Sequence, residues 1–141
     1  MDKTTVPRTG RAPLRFAGDL FRSADGFRLA GRERNRWHEI EIYDLGSDHG
    51  VNTAFVVAIH YRTKWQGELG HDAAEAVTGG AEVRRVLTNY DPLAHLGGFP
   101  SGAAYAERQA KLEAEVRAGY EALVSEVLAD ELFAVDVVNE T

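Results

Sequence analysis

The strongest constraint on the fold is a pair of strand-like runs, residues 36–44 and 53–63, separated by the short link 47–52. Both runs are rich in β-branched and aromatic residues, and in the second run large apolar residues alternate with other types. The link contains Asp48, Gly50 and Asn52, which tolerate the backbone angles of a tight reversal. The sequence therefore predicts an antiparallel hairpin, around which the rest of the chain is organised.

The apolar residues of this hairpin also predict how its strands pair. Pairing Ile40 with Ile59 and Ile42 with Val57 places both apolar sets on the core face, whereas a slip of one residue would send one set into water. The same register predicts three further pairs: Trp37 with Arg62, His38 with Tyr61, and Glu39 with His60. We therefore expect His38 on the core face and His60 on the outer face.

The flanking segments extend this sheet. Asp25-Gly26, between apolar runs within residues 14–34, predicts a second and weaker hairpin. Residues 71–77 leave two alternatives open, because their position favours a strand while Asp72, Glu75 and three alanines resemble a helical capping box; we favour the strand. Thr78 is the expected cap of a short helix, and Ser101 that of a long one.

The predicted fold class is α+β. We expect an antiparallel β-meander of three to five strands over about residues 20–77, a short helix at about 79–90 and a long C-terminal helix at about 102–133 packed on the sheet. Residues 14–141 form one domain in this prediction. Residues 1–13 are a flexible tail, because they contain Pro and Gly and few apolar side chains. Residues 134–141 alternate briefly and are a candidate edge strand.

The length of the second helix bears on assembly. About 30 residues span about 45 Å, whereas a compact domain of this size is about 35–40 Å across. The helix therefore bends, with Gly119 as the expected place, or one end projects. A projecting amphipathic end favours self-association through the long helix as a homodimer. The alternative is a helix that packs along the sheet with frayed ends.

Composition excludes several classes of function. The chain has no cysteine, which excludes disulfides, thiol nucleophiles and cysteine-ligated zinc. It has no P-loop, G-x-S-x-G, G-x-G-x-x-G or H-E-x-x-H motif. No apolar run approaches the roughly 20 residues that cross a bilayer, and the N-terminus lacks an apolar signal segment. We expect a cytoplasmic protein without a membrane partner, and the abundant arginine and alanine favour a bacterial origin.

Charge is distributed unevenly. The first 36 residues carry a net charge of about +5, whereas the whole chain carries −6. A basic segment of this kind suits nucleic acid if Arg28, Arg32, Arg34 and Arg36 share one surface beside Trp37. The alternative is that basic and acidic elements neutralise one another within the fold or the dimer, and the low overall isoelectric point favours this interpretation.

The candidate binding residues lie on the outer face of the main hairpin and at the turn that follows it: Trp37, Glu39, Glu41, His60, Arg62 and Trp65. Carboxylates and an imidazole on one face are able to exchange protons near neutral pH, but polar sheet faces often carry such sets. Histidines recur at positions 38, 49, 60 and 71, but the predicted register separates them, so we expect no metal and no cofactor.

These observations favour a small non-catalytic interaction or regulatory protein that acts as a homodimer. Two alternatives stay open. One is a nucleic-acid-binding regulator that uses the basic N-terminal segment. The other is a small enzyme or ligand-binding protein that uses the outer sheet face around Glu39, Glu41, His60 and Arg62, and this alternative requires a pocket there.

Overall fold

The computed structural model describes residues 3–29, 35–46, 53–65, 68–96 and 102–129. Their six strands are β1 Lys3–Arg8, β2 Arg11–Ala17, β3 Asp19–Asp25, β4 Arg36–Asp44, β5 Ala54–Thr63 and β6 His71–Thr78. Their two α-helices are α1 Gly80–Asn89 and α2 Ala103–Val127, and a 3-10 helix spans Gly26–Leu29. The predicted link 47–52, residues 97–101 and the candidate strand at 134–141 lie outside the described residues.

Strands β3, β4, β5 and β6 form one antiparallel sheet in chain order, which confirms the predicted meander. Ile40 pairs with Ile59 and Ile42 with Val57, as the apolar pattern requires. Residues 71–77 are strand because β6 pairs with β5 along its whole length. The α+β class and the helices packed on the sheet are likewise confirmed.

The main core lies between the sheet and the two helices. α1 contacts β5 and β6, whereas α2 contacts β3 and β4, so each helix covers one half of the sheet. The fully buried side chains of this core are Ile40, Ile42, Phe55, Val57, Ile59, Val83, Leu87, Leu123 and Val127. Each such side chain contributes about 1.5–3 kcal/mol by leaving water, which is why the apolar pattern determines the register.

Residues 3–13 differ from the flexible tail that the sequence predicts. β1 and β2 pair with each other as a hairpin, and Gly10 in its turn has φ of 77°. Val6 and Phe16 are buried in a second core with Tyr43 and Val56, on the outer face of the sheet. The segment needs few apolar residues because the sheet supplies the other half of this core.

The predicted hairpin at Asp25-Gly26 is wrong, because β3 ends at Asp25 and a 3-10 helix follows. The carboxylate of Asp25 accepts the N–H of Phe27 at 2.9 Å, which turns the chain without a second strand. A Cβ at Gly26 would lie 2.6 Å from the carbonyl oxygen of His38, so the close approach to β4 requires glycine there.

The helix starts also differ from the prediction. Gly79, rather than Thr78, is the N-cap of α1, and Gly102 is the N-cap of α2. α2 continues through Gly119, with all its buried residues at or after Val116. Its first half, residues 103–115, contains no buried residue. Within the described part of the chain, neither helix is long and apolar enough to cross a membrane.

Candidate functional site

The polar cluster on the outer face arises from the register of three strands. β4 places Glu39 opposite His60 and Trp37 opposite Arg62, and β6 places Asp72 on the other side of His60. Side chains on a strand alternate between faces, so these five all lie on the face away from the helices. With Glu41, which lies on the same face of β4 two residues after Glu39, these side chains form the group that we call the His60 cluster, and strand alternation in the sequence predicts most of it.

His60 lies between two carboxylates at the centre of the cluster. Its Nδ1 is 2.6 Å from Oδ1 of Asp72 and its Nε2 is 2.8 Å from Oε1 of Glu41, while the residue is only 3% exposed. Burial alone lowers the pKa of His60, but the hydrogen bonds to Glu41 and Asp72, with the charge of Glu41, outweigh burial and raise the pKa above its ordinary value. With both nitrogens facing carboxylates, the imidazolium is the form that satisfies both contacts.

The remaining members close the cluster into one network. Arg62 contacts Glu39 and Asp72, each at 3.2 Å, and the indole N–H of Trp37 donates to Glu39 at 3.2 Å. The hydrogen bond from His60 is the largest cause that lowers the pKa of Glu41, which keeps this carboxylate ionised. Three carboxylates face two cations, so the cluster keeps one net negative charge, and both of its cations are paired within it.

The β1–β2 hairpin contacts the same face beside the cluster. The backbone N–H of Thr9 donates to the carbonyl oxygen of Asp72 at 2.8 Å, and the N–H of Asp72 donates to Oγ1 of Thr9 at 2.8 Å. Asp72 therefore contacts His60 through its side chain and the hairpin through its backbone. This second layer explains why the outer face is mixed in composition rather than fully polar.

The structure brings together five of the six predicted site residues, but Trp65 lies elsewhere. Trp65 is 51% exposed after the end of β5, and the guanidinium of Arg36 lies over its ring, 5.0 Å from the centroid. Arg36 also forms a buried ion pair with Glu68 at 2.9 Å. Asp72 was not among the predicted site residues, although the preferred strand at 71–77 contained the signal for it. Whether the cluster binds a ligand stays a prediction.

A second cluster lies around His38 on the helix-facing side. The predicted register placed His38 on this face opposite Tyr61, which is confirmed, but the sequence analysis missed Tyr90 and Tyr120. His38 packs against the rings of Tyr61, Tyr90 and Tyr120, with centroid distances of 5.1–5.7 Å. Burial first and the charge of His95 second lower the pKa of His38 to about 4. Among the described residues, its Nε2 has no hydrogen-bond partner, so His38 is a neutral core histidine.

Two of the four arginines of the predicted basic surface lie among the described residues. Arg28 forms an ion pair with Glu126, and Arg36 forms one with Glu68, so both guanidinium groups already face carboxylates. Arg32 and Arg34 lie outside the described residues. The nucleic-acid alternative requires these charges to face phosphate, and it stays a prediction.

Neither a metal-binding group nor a similarity to known proteins adds an indication of function. Among the residues that the structure describes, no group of three or more histidine and acidic side chains is arranged to hold a metal ion. His49 lies outside them. Comparisons with protein-family models, with curated proteins and with solved structures gave no match.

Proposed function

We propose that the protein is a small non-catalytic interaction protein that forms a homodimer through the N-terminal half of α2. The observation that carries this proposal is the exposure of residues 103–115, which are helical and contain no buried side chain. Tyr105, 38% exposed, starts a stripe that continues through Gln109 and Leu112 to the buried Val116. The stripe that packs on the sheet therefore extends beyond it.

The exposed half of α2 needs a source of stability beyond its own backbone hydrogen bonds. Isolated helices of fewer than about 12–15 residues are marginal in water. Steps of three and four place Tyr105, Gln109 and Leu112 in line, the spacing of a short coiled-coil seam. In such a seam Gln109 is a polar residue between two apolar ones, a position that specifies register. The same stripe of a second copy can pack against this seam with two-fold symmetry and provide the partner for Gln109.

A binding role is favoured over catalysis by the state of the His60 cluster. Both nitrogens of His60 face carboxylates, and Arg62 contacts two of the three acids. A general base needs a nitrogen that faces the substrate. The acid–base groups on this face instead form hydrogen bonds and ion pairs with one another, and these contacts link β4, β5 and β6.

The test is the solution mass of the full-length protein, measured by light scattering from about 1 µM to about 200 µM. We expect the mass to rise from that of the 15.5 kDa monomer towards twice that value. Leu112→Glu, on the stripe, should return the mass to that of the monomer. Ala114→Glu is the matched control, because position 114 lies on the opposite side of the helix.

The two variants distinguish an interface from a general effect of added charge. Circular dichroism should show similar helix content at low concentration for both. A constant monomer mass for the wild-type protein over the whole series would contradict the proposal, and α2 would then be stabilised by its alanines and by the contact from Gln109 to Glu113 at 3.2 Å. Equal dissociation by both variants would also contradict it.

A further inference from the structure

Two aromatic rings form a corner at one end of the outer face, beside the His60 cluster. Trp37 lies on that face of β4, and Phe27 belongs to the 3-10 helix that follows β3. The ring centroids are 4.8 Å apart and the rings are inclined at 76°, so the edge of one ring meets the face of the other. Perpendicular rings leave a concave angle in which one cation can contact both π faces.

The backbone and a hydrogen bond hold the two rings in place. Gly26 approaches β4 so closely that a Cβ there would lie 2.6 Å from the carbonyl oxygen of His38, which sets the 3-10 helix against the strand. The indole N–H of Trp37 donates to Glu39 at 3.2 Å, which fixes the orientation of this ring. Both rings are partly buried, so the corner is formed before any ligand arrives.

The ammonium group of Lys64 occupies this corner. Its Nζ lies 4.9 Å from the ring centroid of Phe27 and 5.7 Å from that of Trp37, both within the range of about 6 Å for cation–π contact. The backbone N–H of Lys64 donates to the carbonyl oxygen of Asn35 at 2.8 Å, which brings the residue beside the start of β4. The ion pairs among the described residues do not include Lys64, so the two rings are the partners of its ammonium group.

A primary ammonium group is a weak occupant of such a corner. It is strongly hydrated and carries three N–H donors, and aromatic rings do not replace the acceptors that water provides. Holding a long side chain in one place also costs conformational entropy. A quaternary ammonium group has the same charge, no N–H donor and a larger apolar surface. It therefore loses less hydration on entering the corner, and such groups are the typical ligands of aromatic cages.

The charge beside the corner favours a cation. Glu39, which accepts the indole N–H of Trp37, belongs to the His60 cluster, and that cluster keeps one net negative charge. The nearest cation of the cluster, Arg62, is already paired with Glu39 and Asp72. The surface that continues from the corner is therefore polar and charged, which suits the body of a small polar solute rather than the acyl chains of a lipid.

We propose that the corner of Phe27 and Trp37 binds the quaternary ammonium group of a small solute in place of the Lys64 side chain. Lys64 is then an internal competitor, because the solute binds only those molecules in which this side chain has left the rings. The corner lies on the outer face of the sheet, so the site does not depend on self-association through residues 103–115.

The test uses choline and its neutral carbon analogue, in which a tert-butyl group replaces the trimethylammonium group. Each is titrated into the ¹⁵N-labelled full-length protein, and the indole N–H signals of Trp37 and Trp65 are recorded. We expect choline to shift Trp37 saturably with a Kd of about 10 mM, and the analogue to bind about fivefold more weakly. Trp65 is the internal reference, because Arg36 already lies over its ring. Equal affinity for the two molecules, a saturable shift at Trp65 rather than Trp37, or no saturation up to about 100 mM would overturn the proposal.

A variant of Lys64 tests the competition. Lys64→Ala should tighten choline binding about fivefold, because the corner no longer has to be vacated. Lys111→Ala is the matched control, since it removes the same charge from an exposed position on α2 and should leave the affinity unchanged. A gain of binding does not arise from unfolding. The same affinity in Lys64→Ala as in the wild-type protein, or an equal gain in Lys111→Ala, would overturn the proposal.

The second ring and the source of the ligand are tested last. Phe27→Leu, made in the Lys64→Ala protein, should weaken choline binding about fivefold because one of the two π faces is lost. Unchanged affinity in this double variant would contradict a corner of two rings. Sedimentation of the protein with phosphatidylcholine vesicles, without a shift from free choline, would overturn the assignment to a small solute.

Discussion

His38 and His60 lie on neighbouring strands of one sheet and are each 3% exposed, but their surroundings are opposite in character. His60 on the outer face lies between the carboxylates of Glu41 and Asp72. His38 on the helix-facing side lies among three tyrosine rings, and its Nε2 has no partner in the described part of the chain. The pKa of His60 is raised and that of His38 is lowered.

Burial alone therefore does not decide the charge of a histidine in this sheet. Desolvation is the largest single influence on the pKa of both residues, and it lowers both pKa values. Only the partners differ, and the partners follow from strand alternation, since His38 and Glu39 are consecutive and therefore face opposite sides. His60 is paired with Glu39, the residue directly after His38, so the two histidines face opposite sides of the sheet. One is therefore charged and hydrogen-bonded, and the other is a neutral core histidine.

The strongest effect that we expect is the change in stability with pH that comes from His38. Its pKa is about 4 in the folded protein and 6.5 for the unperturbed group, so the unfolded chain takes up a proton that the folded protein rejects. Stability should therefore fall as pH falls from about 6.5 to 4, by up to about 3 kcal/mol from this group. His38→Leu should remove the part of this fall in the free energy of unfolding that comes from His38. Urea unfolding at several pH values measures it.

The comparison between the wild-type protein and His38→Leu isolates this group from the carboxylates, which titrate in both. At pH 7, where His38 is neutral, the variant should differ from the wild-type protein by about 1 kcal/mol or less, because Leu fills a similar volume and removes a nitrogen without a partner. Parallel stability curves for the two proteins between pH 6.5 and 4 would contradict a neutral His38.

The next effect is the loss of His60. His60→Leu leaves Glu41 and Asp72 facing each other without the cation between them, and we expect a cost of about 2 kcal/mol at pH 6. Removing one partner of a fully buried pair costs about 3–5 kcal/mol, and the value is smaller here because both carboxylates are partly exposed. Urea unfolding of the two proteins at pH 6 measures the difference.

The pH dependence of this cost has the opposite sign from that of His38. A raised pKa means that His60 contributes fully below about 6.5 and loses its contribution as pH rises through its folded pKa. The lowered pKa of Glu41 means that its contribution is present above its unfolded value of 4.5 and is lost as pH falls through its folded pKa. A variant cost that grows steadily above pH 7 would show that His60 is not the imidazolium.

Strand alternation in the sequence was enough to predict the pairing of β4 with β5 and the face of each histidine. Ile40, Ile42, Val57 and Ile59 are all fully or almost fully buried, and a slip of one residue would send the apolar residues of one strand to the outer face. The meander was predictable for the same reason, because local apolar patterns decide antiparallel neighbours. The partner of His60 on β6 depended on one further choice, between strand and helix at 71–77.

Contacts between residues far apart in the chain were not predictable in this way. The tyrosines around His38 include Tyr90 and Tyr120, which reach it only because α1 and α2 both pack on the sheet. The β1–β2 hairpin has only Val6, Leu14 and Phe16 as packed apolar residues, too few to indicate a core by themselves. When a short hairpin shares a core with a sheet face, most of the apolar residues of that core belong to the sheet. The sequence of the hairpin then gives little indication that it is packed.

The weakest effect that we expect is the loss of stability when the contact between the β1–β2 hairpin and Asp72 is removed. Thr9→Val keeps the shape of the side chain but removes the oxygen that accepts the N–H of Asp72. We expect a loss of about 0.5 kcal/mol, at the low end for a hydrogen bond because the site is exposed and water replaces the hydroxyl. The Asp72 amide should exchange faster with solvent, while the amides of Ile40 and Ile59 keep their protection. Equal acceleration at all three would show that the hairpin supports the whole sheet, and the outer face would then not be separable from the core as the two histidines imply.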